Sequence, residues 1–122
     1  VARARIDVIL DGCVVRERYE QVDGLAGESV TTYDAPRKLW HQTWVTNRGQ
    51  LLSVEGRFEG ERLTLQGRQR AADGRESVIR ATWVPQAAGV RETAQVSGDD
   101  GATWRPLFDI FFEAHLATAT PR

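Results

Sequence analysis

A chain of 122 residues and 13.7 kDa has the length of a single domain, long enough to bury a core without a disulfide or a metal. Its 16 basic and 17 acidic residues leave a net charge of -1, and the two signs are interleaved. That excludes the basic stripe a nucleic-acid partner needs, and no apolar run approaches the ~20 residues of a membrane span.

No charged-then-apolar leader opens the sequence. The single cysteine, Cys13, has no partner for an internal disulfide and points to a cytoplasmic setting. It is expected to be a small apolar core residue. The chain starts at Val1 and contains no methionine, so residues are expected to have been lost upstream.

Short alternating stretches punctuated by Gly, Asp or Pro run along the whole chain, with no helical period. The first predicted strand is 5–10, with Ile6, Val8 and Leu10 on one face. Asp11-Gly12 reads as a two-residue hairpin turn. The second strand, 13–22, sets Cys13, Val15, Glu17 and Tyr19 on the inner face against a charged outer set. A carboxylate at Glu17 is costly there unless it is paired or hydrogen-bonded. After the loop 23–27 comes a strand over 28–34, with Ser29, Thr31 and Tyr33 together. Pro36 then pre-sets a tight turn.

The strand 39–46 carries Trp40, Gln42 and Trp44 on one face, two indoles flanking an amide. Such a wall is either plain core or the lining of a ligand pocket. Asn47-Arg48-Gly49 turns the chain, with Gly49 left-handed. Strands follow at 50–59 and 62–70, where Gly56 and Gly67 permit a bend or a bulge. The strand 75–84 has Ile79, Ala81 and Trp83 on one face and Val78, Arg80, Thr82 and Val84 on the other. The strand 90–97 has Val90, Ala94 and Val96 opposed to Arg91, Thr93 and Gln95. The last, 107–116, is apolar on both faces in its middle, like a strand buried on two sides. Residues 117–122 are expected to fray. The fold class is all-β: one antiparallel meander, 1–122, closing into a calycin- or lipocalin-like barrel.

Ser97-Gly98-Asp99-Asp100-Gly101-Ala102-Thr103-Trp104 fits the Asp-box pattern, a hairpin device in which the carboxylate holds turn amides and the indole packs beneath. Taken with Leu10-Asp11-Gly12-Cys13, Gly27-x-Ser29, Tyr33-Asp34, Trp40-x-Gln42-x-Trp44, Gly56, Arg80-x-x-Trp83 and Phe108-Asp109, the chain resembles a group of uncharacterised bacterial calycin-like (lipocalin-like) β-barrel domains. The resemblance implies a fold and no activity. It also implies an upstream strand with a Gly-x-Trp motif, absent here, so barrel closure is expected to be incomplete or completed by a partner chain.

The candidate ligand-binding residues are Trp40, Gln42, Trp44, Tyr33, Glu17 and, from across the barrel, Arg80. Either these polar groups satisfy one another, with Glu17 paired to Arg80, or they line a wet cavity. The cavity reading is a small-ligand binder for a flat, partly apolar molecule. Its alternatives are an enzyme on a small aromatic or carbonyl acid, with Glu17 or Tyr33 as acid–base and Arg80 as carboxylate anchor, and an interaction domain. No metal or cofactor is expected: His41 alternates outward, and His115 is the one histidine placed for a haem. The two end strands are expected to leave edges, and one aromatic face of the last, that favour a homo-oligomer.

Overall fold

The computed structural model describes residues 2–113. Nine strands form: β1 (Ala2–Ile9), β2 (Val14–Gln21), β3 (Ala26–Asp34), β4 (Leu39–Thr46), β5 (Leu51–Glu59), β6 (Arg62–Arg70), β7 (Glu76–Gln86), β8 (Gly89–Ser97) and β9 (Arg105–Glu113). Each pairs antiparallel with the next in chain order, so the sheet is a simple meander that curls into a nearly closed barrel. Among the described residues no pairing joins β1 to β9, and the barrel keeps a seam there. The last three residues of the expected final strand, and the tail expected to fray, lie outside the described residues.

Most of the expected turns form. Lys38 N–H donates to the Ala35 carbonyl across Pro36, and Gly49 has φ 80°. The first hairpin differs. Ile9 pairs with Val14, so the loop takes in four residues, and Leu10, Asp11 and Gly12 are all left-handed at φ 51°, 59° and 86°. This places Cys13 on an exposed loop, not in the core. β3 starts earlier than expected because the Asn47 side chain accepts from the Ala26 N–H and donates to the Gly24 carbonyl, each at 3.0 Å.

Gly56 and Gly67 serve close approach rather than a bulge. A Cβ on Gly56 would stand 1.8 Å from the Thr64 carbonyl oxygen, and one on Gly67 would stand 1.9 Å from that of Ser53. The register shift lies elsewhere, between β8 and β9 at Ala94/Gln95.

The dry core sits in β5–β8. Val54, Leu65, Ile79, Ala81, Ala94 and Val96 are all buried there. Burial thins toward the seam: Ile6 and Val8 are 56% and 64% exposed although they alternate inward with Glu17's partner positions. β9 is not buried on two sides either: Phe111 on its outer face and Leu107, unpaired at the register shift, are half exposed.

Candidate functional site: the barrel interior and its two carboxyl groups

Alternation along β2, β3 and β4 brings Glu17, Ser29 and Trp44 into one cross-strand row, and Thr31, Gln42 and Val54 into the next. Gly27 makes room for the Trp44 indole: a Cβ there would lie 2.5 Å from its ring carbons. Trp44 is held by a Gln50 side-chain acceptor at 3.2 Å and meets Tyr19 edge-on at 5.9 Å. Trp40 packs against Phe58 at 5.9 Å and Tyr33 at 5.4 Å.

The interior is hollow. One cavity of 330 Å³ is bordered by Glu17, Tyr19, Trp44, Ile79, Glu92 and Phe108. A second, of 560 Å³, is bordered by Ile6, Thr31, Trp40, Phe58, Leu63 and Trp83. Glu17, Gln42 and Phe112 border both. Trp44 borders the smaller cavity and Trp40 the larger, and Gln42 between them, whose amide donates to the Thr31 hydroxyl at 3.0 Å, borders both. Tyr33 borders neither cavity; it is 46% exposed and covers the outer end of Trp40.

Arg80 does not join the others. Its guanidinium donates to Gln95 at 2.8 Å and lies 4.0 Å above the Trp104 ring, on the outer face. The period of two already opposes Arg80 to Ile79, Ala81 and Trp83, so a strand that buries those three turns the arginine out. Glu17 has no Arg80 partner, and the carboxylate anchor of the enzyme arrangement is not in the barrel. What Glu17 does have is the Ser29 hydroxyl, donating at 3.4 Å.

Sequence reasoning missed Glu92. It sits directly across from Trp83 on β7 and Ile110 on β9, between the inward residues Val90 and Ala94. The alternation Val90-x-Glu92-x-Ala94-x-Val96 was the available signal. Burial pushes the Glu92 carboxyl up to about 8, with repulsion from Glu17 adding to it and the Trp83 side chain pulling back. Burial also raises Glu17, with the Ser29 hydrogen bond opposing. Two inward carboxyl groups thus feel each other across the hollow, and each prefers to stay neutral. Among the described residues no Arg, Lys or His borders either cavity.

The outer face carries structural networks. Arg37 bridges Asp34 and Glu55, and His41 joins Glu55 at 2.9 Å. These donors, Arg37 first, hold the Glu55 carboxyl down at about 2. In the loop after β8, Asp99 accepts from the Thr103 N–H at 2.8 Å and hydroxyl at 2.6 Å. The buried Ser97 hydroxyl donates to Asp99 at 2.7 Å and accepts from the Gly101 N–H at 2.8 Å. Gly101 is left-handed, φ 93°, over the Trp104 ring. Among the described residues no group of three or more His, Cys, Asp or Glu could hold a metal; His115 lies outside them.

Fold and interior together define a class: an up-and-down, nearly closed barrel with a hollow, aromatic, carboxyl-bearing inside. Compared with known proteins, the chain matches no protein-family model and no curated protein. No helix among the described residues is long and apolar enough to cross a membrane.

Proposed function

We propose that the barrel binds a small, flat, partly apolar molecule in its interior. The observation that carries this reading is the pair of adjoining cavities, 330 and 560 Å³, in the size range of small-molecule sites, roughly 300–1,000 Å³. Their walls are aromatic and aliphatic with a few convergent polar groups, Gln42, Thr31 and Glu17 among them. A filled barrel would place side chains where these hollows lie. The lone, exposed thiol of Cys13 supports a cytoplasmic setting. The test is quenching of tryptophan emission by a panel of small aromatic compounds. Saturable quenching in the native chain, reduced in Trp44→Phe, is the expected result; no response from any compound removes the reading. Turnover of a bound compound that disappears in Glu92→Gln would make the barrel an enzyme instead.

A second reading concerns assembly, and the free edge of β9 favours it. Phe111 shares the outer face of β9 with Asp109, across from Arg91 and Thr93 on β8, so a two-fold pairing of this edge would bury an aromatic ring from each copy. Leu107 and Phe111 are 50% and 46% exposed in the single chain, and the unpaired backbone beside them is a ready template. In this reading the seam is where a homodimer forms.

A further inference from the structure

We propose that the smaller cavity takes a small organic cation, an amine or quaternary ammonium on a flat apolar body, with its charge set between Glu17 and Glu92. This rests on the binding reading above and names the ligand class. Glu17 enters from β2 and Glu92 from β8, so the two carboxyl groups approach the hollow from different walls. Neither has a cationic partner among the described residues. Arg16 and Arg18 flank Glu17 on the opposite face of β2, Arg16 reaching Asp7 at 3.9 Å, while Arg91 is committed outside to Asp109 and Arg80 to Gln95 and Trp104. A buried carboxylate without a counter-ion is costly and is relieved by a proton or by a cation. An anionic ligand would meet repulsion there as soon as either carboxyl ionises. The walls favour a cation over a simple neutral compound, because Tyr19 and Trp44 present ring edges and faces to the same space and aromatic faces attract positive charge.

A metal ion fits poorly. Calcium takes six to eight oxygen ligands and magnesium demands a near-ideal octahedron of oxygens, whereas two carboxyls in an apolar-walled cavity supply few. An organic cation needs only charge balance and apolar contact, and both are present.

Binding must compete with protons. Glu17, Tyr19 and Glu92 are the titratable side chains bordering this cavity among the described residues. Glu92 faces Glu17 across the hollow, with Trp83 and Ile110 as its cross-strand neighbours. Its carboxyl stays largely protonated until about pH 8, so a cation that displaces that proton binds more tightly as the pH rises toward that value, and releases the proton as it does.

The experiment compares three probes of similar bulk on the intact chain by calorimetry and tryptophan emission: phenyltrimethylammonium, its uncharged isostere tert-butylbenzene, and benzoate. The expected result is that the ammonium binds about tenfold or more tightly than the isostere, as a desolvated cation–carboxylate and cation–π site requires. Benzoate should not compete, and ammonium affinity should rise between about pH 6 and 8.5 with proton release. In Glu17→Gln/Glu92→Gln the ammonium should lose that advantage while tert-butylbenzene still binds, which also shows that the variant keeps its cavity. If tert-butylbenzene binds the native chain as well as or better than the ammonium, the charge inference is overturned and the binding reading stands. If none of the three binds, both fall.

Discussion

Glu92 illustrates how one side chain can work against the fold that holds it. Its folded value of about 8 lies above the ordinary 4.5, so the folded chain holds this proton more tightly than the unfolded one. The stability it allows is complete below about pH 4.5 and declines as pH rises through about 8, beyond which the loss is constant. Glu92→Gln removes that titration. Its urea midpoint should therefore gain on the native chain between about pH 5 and 8.5; parallel profiles would mean that the carboxyl is solvated. Ser97 works in the opposite sense. Its buried hydroxyl joins Asp99 to the Gly101 amide, so Ser97→Ala leaves that N–H without its acceptor. A loss of about 1–3 kcal/mol is expected from denaturant unfolding.

At the scale of the strands, glycine decides what can approach what. Gly56→Ala forces a Cβ into the Thr64 carbonyl, and backbone cannot swing aside as a side chain can. A loss of about 3 kcal/mol or more is expected in unfolding experiments, whereas Gly98→Ala, with nothing within 4 Å of its Cβ, should stay within about 0.5 kcal/mol. Gly27→Ala should instead push Trp44 from its place, shift its emission and weaken binding in the smaller cavity. The strands themselves were legible because a polar turn interrupts every alternating run, and a period of two needs no tertiary knowledge to assign faces. Loop chemistry was less so: Asp11-Gly12 looks like a two-residue turn, but Leu10 also accepts a left-handed φ, and that moved Cys13 out of the strand. The site was half legible. Glu17, Trp40, Gln42 and Trp44 follow from alternation alone. Arg80 is expected inside, from across the barrel, although the strand's own alternation sets it against Ile79, Ala81 and Trp83. Glu92 was passed over because a carboxylate among Val90, Ala94 and Val96 looks like an interruption of the pattern rather than a member of it. That Gln42 reaches Thr31 is a side-chain choice no strand period encodes.

For the whole molecule, the consequential fact is that, among the described residues, β1 and β9 end the sheet without pairing to each other. Edge pairing of two copies through β9 predicts a dimer mass by light scattering at micromolar concentration, falling to the monomer in Phe111→Ser. A monomer mass in the native chain removes that assembly. The seam bears on the interior as well. A closed barrel has a circumference fixed by its strand number and shear, so its bore is a constant of the fold. This sheet is a split ring, and its bore is set only by how far β2–β8 choose to curl. A guest lodged between Glu17 and Glu92 would act as the mandrel on which the ring tightens, so amides of β1 and β9 should gain protection from hydrogen exchange when the cavity is filled, although neither strand supplies the charge that holds the guest.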